Sequence, residues 1–254
     1  MKIIISPAKS LDFKKPTIDI PSQQPRFQDE SQVLVNALKK KSKATLKSLM
    51  SISDKLADLN YHRYKEWEKE FNTDVAKQAI LTFNGEVYNG LRANDLTQED
   101  LQFANEHLRM LSGLHGILRP FDLIRPYRLE MGIKLKVKRK LDLYGFWGDK
   151  IHNCLKEDLG IDNEPVLVNL ASAEYFKAAL LDKMPYRVVT PVFLEYRDDE
   201  YKPITIYFKK ARGLMVRFII TNRLQHVEEL KLFDYEGYAF HQELSDENKW
   251  VFTR

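Results

Sequence analysis

The chain is poor in cysteine and in long apolar runs, and each shortage excludes a class of protein. Cys154 is the single cysteine among 254 residues, so no disulfide can form within the chain, as is typical of a reducing cytosol. In the opening MKIIISPAK, the apolar run is too short for a signal peptide and Pro7 ends it. No apolar segment is long enough to cross a bilayer. We therefore expect a soluble, cytoplasmic protein.

A strong excess of one charge is also missing. The 40 lysines and arginines nearly balance the 36 aspartates and glutamates, and the net charge is only +4. Composition therefore does not indicate a nucleic-acid-binding protein, and the placement of the charges has to decide. The six histidines are scattered, without metal-ligand spacing, so no metal site is predicted. GxGxxG and Walker A motifs are absent, and no cofactor is predicted.

What the chain does have is a large apolar fraction, 44%, arranged in alternating strand and helix patterns. Thr97 and Asp100 form a capping-box pattern at the start of the best-specified helix. We predict strands at 2–6, 79–83, 133–137, 166–170, 187–196, 203–208 and 249–253, and helices at 96–111 and 209–223, among others. No repeat or linker interrupts this order. The prediction is a single compact domain of mixed α/β (α+β) class, spanning residues 1–254.

The stretch MLSGLHGILRPFDLIRPYRLEMG, at residues 110–132, combines glycines with arginines. Glycines let backbone amides approach an anion closely, and arginine carries a planar charged fork suited to phosphate. The alternative is an ordinary helix cap followed by a loop, with arginines paired to Asp122 and Glu130. The phosphate-binding candidates in this stretch are Ser112, Gly113, Gly116, Arg119 and Arg128.

A second candidate site follows the first predicted strand. In the sequence SPAKS, Lys9 stands between two hydroxyl side chains at a strand end, where α/β sheets commonly bind ligands. A lysine there can bind phosphate or, if desolvated, act as a Schiff-base nucleophile. Phosphate binding is favoured, since nothing in the sequence marks the amine as desolvated. Asn169 ends another buried strand and would line the same pocket if the two strands are neighbours. The candidates are Ser6, Lys9, Ser10 and Asn169.

The predicted helix at 209–223 carries the strongest cluster of basic side chains. Leu214, Phe218 and Ile219 supply its buried side, which leaves the basic side for a partner. A solvated face is the usual alternative for such charges. The candidates are Lys209, Lys210, Arg212 and Arg217.

Several sequence blocks occur together in a distinctive order. They are ISPAKSLDF at 5–13, ISDKLADLN at 52–60, FNGEVYNGL at 83–91, HLRMLSGLHGILRPFDLIRPYRLEMG at 107–132, LYGFWGD at 143–149, VNLASAEYF at 168–176 and KKARGLMVRFIITNRL at 209–224. The chain thereby resembles the YaaA family of bacterial peroxide-stress-resistance proteins. The resemblance implies a cantaloupe-like fold, a helix-hairpin-helix element, a positively charged cleft and binding to double-stranded or branched DNA. It also implies protection against hydrogen peroxide, linked to lower free iron and less DNA damage.

The principal hypothesis is a sequence-nonspecific DNA-binding protein of the peroxide stress response, which contacts phosphates through the candidate residues named above. The alternative is an enzyme that acts on damaged DNA or a nucleotide, glycosylase- or lyase-like, with Lys9 as nucleophile. A third hypothesis, iron handling by direct metal binding, lacks a ligand cluster to support it. Neither a membrane nor an obligate protein partner is expected.

Overall fold

The computed structural model describes residues 1–15 and 18–254. Its strands, β1 to β12, are Lys2–Ile5, Ser10–Leu11, Lys77–Gln78, Phe83–Asn84, Leu108–Ser112, Gly116–Leu118, Leu123–Ile124, Val166–Leu170, Arg187–Arg197, Glu200–Lys202, Ala239–Phe240 and Lys249–Thr253. Its helices, α1 to α10, are Gln28–Lys39, Lys43–Met50, Asp54–Lys65, Ala79–Thr82, Glu86–Leu91, Gln98–His107, Leu143–Trp147, Lys150–Gly160, Ala173–Ala178 and Thr205–Thr221. Within these ranges, no helix combines the length and apolarity needed to cross a membrane.

The centre of the fold is a mainly parallel sheet with the strand order β11-β12-β9-β8-β1-β5-β6, and β10 pairs with β9. The strands from β12 to β5 run parallel, whereas β6, β10 and β11 are antiparallel additions. Strand β1 is buried along its whole length, as expected for a parallel strand covered on both faces. The mixed α/β class is therefore confirmed. Strands β1 and β8 are neighbours, with Ile4 opposite Asn169.

Several predicted elements are confirmed. The strands predicted at 2–6 and 166–170 are β1 and β8, and the basic helix is α10. Thr97 caps α6: its hydroxyl accepts a hydrogen bond from the Asp100 amide at 3.1 Å, and the Asp100 carboxylate accepts one from the Thr97 amide at 3.3 Å. This reciprocal pair is the predicted capping box.

The helix predicted at 96–111 ends early, at His107. Residues 108–112 form β5, which pairs with β1 through registers such as Ile3 opposite Leu108. All five residues of β5 are buried. When every residue of a short apolar run is buried, its hydrophobic periodicity cannot distinguish a strand from the end of a helix. Here, pairing with β1 determines that the segment is a strand.

The strands predicted at 79–83 and 203–208 are also wrong. Residues 79–82 form the short buried helix α4, and α10 begins at Thr205, two residues after Pro203. Their β-branched and aromatic residues favour strands only where a sheet is available to pair with, so tertiary context overrode propensity. Residues 133–137 keep the predicted alternation of buried and exposed positions. They belong to no strand, however, and the pairing recorded for this segment is a single bridge between Val137 and Lys140.

Helices α5 and α10 cross at a pair of glycines. A Cβ atom at Gly213 would lie 1.8 Å from the carbonyl oxygen of Val87, and one at Gly90 would lie 2.2 Å from the carbonyl oxygen of Lys210. Larger residues would force the helices apart, so glycine permits this close approach. The crossing holds the basic part of α10 beside the start of α5.

Candidate functional site

A cleft of about 490 Å³ opens beyond the carboxyl ends of β1 and β8. Parallel sheets commonly bind ligands at this edge, because the loops that follow neighbouring strands bring their side chains together there. Its walls come from residues 6–10 after β1, 84–88 at the start of α5, 127–130, 172–175 at the start of α9, and 209–212 on α10.

The cleft lining contains six of the thirteen residues selected from the sequence, namely Ser6, Lys9, Ser10, Arg128, Lys209 and Arg212. Its remaining candidates lie outside that lining: Ser112, Gly113, Gly116, Arg119, Asn169, Lys210 and Arg217. The structure thus brings the SPAKS loop, one arginine of the glycine stretch and the start of the basic helix to one place. Their binding role stays a prediction.

Ser6 ties one edge of the cleft to the neighbouring strand end. Its hydroxyl oxygen accepts a hydrogen bond from the backbone amide of Ser172 at 2.9 Å and donates to the Ser172 hydroxyl at 3.2 Å. The hydroxyl of Tyr88 donates to the carbonyl oxygen of Ser6 at 3.0 Å. These bonds order the loop that carries Lys9, so Ser6 has a positioning role.

Lys9 and Arg128 share one carboxylate at the mouth of the cleft. Lys9 Nζ lies 2.9 Å from one oxygen of Glu130, and Arg128 Nη2 donates to the other at 3.1 Å. The Lys9 side chain is 64% exposed. The Lys9 amine is exposed and ion-paired, whereas a Schiff-base lysine is activated in a desolvated site. The geometry therefore favours Lys9 as a charged contact over Lys9 as a nucleophile.

Lys209 and Arg212 lie three residues apart on α10, so they share one face of the helix. In the part of the chain that the structure describes, neither side chain has an ion-pair or hydrogen-bond partner in the protein. Arg212 is half-buried, and its guanidinium lies over the ring of Phe208 at 5.1 Å. Burial lowers the pKa of Arg212, because it removes water from the charge. The cleft wall thus holds a charged fork with no carboxylate to neutralise it.

Three carboxylates face the same cleft, on Glu86, Glu130 and Glu174. Against the four cationic side chains, they make the lining mixed in charge, with an excess of one positive charge. The positively charged cleft that the resemblance implied therefore stays a prediction, with three carboxylates among its lining residues. Sequence reasoning missed Glu86, because a lone glutamate in the block FNGEVYNGL carries no chemical signal of its own.

The floor of the cleft is aromatic. It contains Tyr88, Tyr127 and Tyr175, each no more than 7% exposed. Burial raises the pKa of all three hydroxyls well above the usual range for tyrosine, so they stay protonated. The Tyr127 hydroxyl lies 2.7 Å from the Ser112 hydroxyl oxygen. These tyrosines were also missed. Tyr88 and Tyr175 lie in the distinctive sequence blocks, but their spacing carries no chemical signal of its own.

The helix-hairpin-helix predicted at the glycine turn is wrong. Ser112 and Gly116 pair across a β-hairpin formed by β5 and β6, because the preceding helix has already ended at His107. Ser112, Gly113 and Gly116 are all buried. The turn therefore presents no surface to a phosphate.

This turn supports the cleft from behind. A Cβ atom at Gly113 would lie 2.3 Å from the carbonyl oxygen of Leu129, which belongs to the cleft wall. Gly116 has a positive φ of +69°, and a Cβ atom there would lie 2.6 Å from the ring of Trp147. The indole nitrogen of Trp147 donates to the Gly113 carbonyl oxygen at 3.0 Å. The two glycines thus allow the tight packing that positions the wall.

Arg119 and Asn169 are structural residues. The Arg119 guanidinium contacts the fully buried carboxylate of Asp122 at 2.8 Å, which is the pairing that the sequence left open as the alternative. Asn169 is 4% exposed, and its side-chain oxygen accepts a hydrogen bond from the Ala171 amide at 3.1 Å. The condition set for a shared pocket is met, since its strand β8 is the neighbour of β1. The side chain nevertheless closes its own strand end and lies outside the cleft lining.

Two residues of the basic helix also have partners in the protein. Arg217 donates to the carbonyl oxygens of Leu91 and Arg92, both at 3.1 Å, at the end of α5. Lys210 Nζ lies 2.5 Å from a carboxylate oxygen of Glu236. The predicted basic helix is present, but only part of its charge faces the cleft.

A short turn between two helices does occur elsewhere, at residues 51–53 between α2 and α3. Ser51 adopts the left-handed conformation, with φ of 51°, and the Ser53 side chain caps α3. A glycine turn was predicted between two helices, whereas this turn has Ser51 and Ser53 at its two ends. Lysines of α2 form ion pairs with aspartates of α3, namely Lys43–Asp58 and Lys47–Asp54.

The histidine, cysteine and carboxylate side chains of the described residues were the remaining candidates for a metal or thiol site. Across residues 1–15 and 18–254, no three histidine, cysteine, aspartate or glutamate side chains are grouped to hold a metal ion. Cys154 is buried, and burial raises the pKa of its thiol despite the neighbouring Arg26. A raised pKa disfavours the reactive thiolate.

Comparison with known proteins gives matches along nearly the whole chain. A family model described as peroxide stress protein YaaA matches residues 1–244. A UPF0246 protein of Dechloromonas aromatica is 49% identical over 254 residues, which cover all of this chain and 99% of the relative. A UPF0246 protein of Ralstonia nicotianae is 51% identical with the same coverage. The chain belongs to the YaaA family of peroxide stress proteins, and this membership supports a role in the peroxide stress response.

Proposed function

We propose that this protein acts in the peroxide stress response by binding DNA through phosphate groups at the cleft. The observation that carries the proposal is the environment of Arg212. Its guanidinium is partly withdrawn from water, yet in the described part of the chain it has neither a carboxylate nor a carbonyl partner. A partly desolvated charge that contacts only the Phe208 ring is incompletely compensated, and an anion that enters the cleft would pair with it.

The neighbouring cations extend this anion site. Lys209 stands on the same face of α10, and Lys9 and Arg128 lie on other walls of the same cleft. Lys9 and Arg128 both contact the carboxylate of Glu130. A phosphate that binds between them would replace part of their interaction with this carboxylate. Lysine and arginine contacts to phosphate position nucleic acid without reading bases. Binding is therefore expected to depend little on sequence.

The test measures binding to a labelled duplex by fluorescence anisotropy, at salt concentrations between about 50 and 200 mM. If four cations neutralise phosphates, the logarithm of the association constant should fall with the logarithm of salt with a slope of about −3.6. Absence of binding at the lowest salt would contradict the proposal. Tight binding that does not respond to salt would contradict the phosphate contacts.

A further inference from the structure

We infer that the cleft receives one nucleotide unit turned out of the helix, and that it prefers a base with an exocyclic amino group. This inference rests on the proposed DNA binding and specifies which part of the DNA enters the cleft. Its volume of about 490 Å³ equals that of a cube with edges of about 8 Å. The major groove of a duplex alone is about 12 Å wide. A duplex can therefore lie across the mouth, but only a single unit can go in.

The cleft lining also has an apolar part, which suits a base. Tyr88, Tyr127 and Tyr175 contribute aromatic surface, and Ala8 and Leu129 add apolar surface beside them. Aromatic side chains bind bases by stacking and face contacts, and every base has such a face. A phosphate gains nothing from this surface, so the floor indicates a ligand with an apolar, planar part.

The carboxylates distinguish among bases. One oxygen of Glu174 accepts a hydrogen bond from the Gly132 amide at 2.7 Å, and one oxygen of Glu86 accepts from Asn89 at 3.4 Å. In residues 1–15 and 18–254, the second oxygen of each has no donor within hydrogen-bond distance. A carboxylate repels phosphate but accepts hydrogen bonds from amino groups. Adenine, cytosine and guanine carry such a group, whereas thymine has only a ring N–H flanked by two carbonyl oxygens, which a carboxylate repels.

The charges of the cleft therefore divide between the two ends of one nucleotide. Lys209 and Arg212 supply the anion-binding end, and Glu86 and Glu174 supply acceptors for the base. A nucleotide within DNA and a free nucleotide share this chemistry. The experiment has to separate these two sources.

The decisive comparison uses three labelled duplexes: one with a single unpaired adenine, one with a single unpaired thymine, and one fully paired. For the wild-type protein we expect the unpaired adenine to bind about tenfold more tightly than the paired duplex, equivalent to about 1.4 kcal/mol. The unpaired thymine should gain less. Equal affinities for all three would overturn the inference and leave the proposed phosphate binding intact. Failure to bind any of them would instead overturn the proposed function.

A variant that fills the cleft tests the location. Ala8→Trp removes no charge and fills the cleft, so it should lose the gain from the unpaired adenine, measured relative to its own affinity for the paired duplex. Ala44→Trp, at an exposed position on α2, is the matched control and should keep that gain. A folded Ala8→Trp protein that retains the gain would place the base elsewhere and overturn the inference.

Glu86→Gln keeps the size of the side chain and tests the base preference even if Ala8→Trp fails to fold. It should reduce the difference between unpaired adenine and unpaired thymine, and an unchanged difference counts against the assigned acceptor. Calorimetric titration with adenosine and thymidine monophosphates shows whether the ligand is a free nucleotide or a nucleotide within DNA. If adenosine monophosphate binds while the unpaired adenine gives no gain, the ligand is a free nucleotide and the DNA assignment is overturned.

Discussion

Lys9 Nζ lies 2.9 Å from a carboxylate oxygen of Glu130, so the loop after the first strand is linked to the wall that the glycine hairpin supports. The other oxygen of the same carboxylate accepts from Arg128. One acidic residue thus restrains two of the four cations that line the cleft. It also places a negative charge where phosphate is expected.

Glu130→Gln should therefore strengthen DNA binding. Removal of the carboxylate charge frees Lys9 and Arg128 for phosphate, and we expect a gain of about 1 kcal/mol at low salt, or roughly fivefold in affinity. Anisotropy titration of a labelled duplex measures it. Glu157→Gln, at an exposed position on α8 outside the cleft, removes the same charge and serves as control. Equal gains in both variants would point to net charge alone, and weaker binding by Glu130→Gln would contradict the assignment.

Gly113→Ala should destabilise the protein by at least about 2 kcal/mol, because overpacking at a backbone contact forces the chain to move. The added Cβ atom would lie 2.3 Å from the carbonyl oxygen of Leu129. Urea unfolding measures the effect. Gly145→Ala is the control, since the nearest atom to its Cβ would be 3.4 Å away. A Gly113→Ala protein as stable as this control would show that the hairpin does not support the wall as described.

His115 should make the fold sensitive to acid. It is fully buried, and burial lowers its pKa to about 3. Its Nδ1 lies 3.1 Å from the Ser31 hydroxyl oxygen, and its Nε2 has no partner in the described residues. Below the ordinary histidine pKa of about 6.5, the unfolded chain takes up a proton that the folded chain refuses. Stability from this group is therefore complete above about pH 6.5 and falls by up to about 1.4 kcal/mol per pH unit towards pH 3.

His115→Phe removes that titration while keeping an aromatic ring among Trp67, Phe71 and Tyr127. The free energy of unfolding, measured by urea between about pH 6.5 and pH 4, should fall less steeply in the variant than in the wild type. The carboxylates titrate in both proteins, so they cancel in the difference. Parallel pH profiles would show that His115 is not held neutral.

Part of the site followed from sequence because it depends on a general property of parallel sheets. Ser6 and Asn169 were each placed at the end of a buried strand, and β1 and β8 are indeed neighbours. The sequence therefore located the edge where the cleft opens. Lys9, Arg128 and part of the basic helix were selected because their charges suit phosphate, and they lie in the lining of that cleft.

The rest depends on contacts between residues distant in sequence. Arg212 and Arg217 lie on the same helix, yet one faces the cleft and the other caps the end of α5. Five residues apart on a helix, they point about 140° away from each other. Which of the two faces meets the cleft depends on the glycine crossing of α5 and α10. The glycine hairpin was misread for a similar reason. The predicted helix was extended through residues 108–111, whose strand character depends on pairing with β1.

The central claim is that Lys209 and Arg212 contact DNA phosphates, and the salt slope of a double variant tests it most directly. Lys209→Ala with Arg212→Met removes two charges and keeps most of the apolar stem of the arginine. The slope of log affinity against log salt should become shallower by about 1.8, since each lost phosphate contact changes it by about 0.9. Lys156→Ala with Lys183→Ala removes two exposed charges outside the cleft and should leave the slope as it is. An unchanged slope in the folded Lys209/Arg212 variant, or an equal change in the control, would contradict the account.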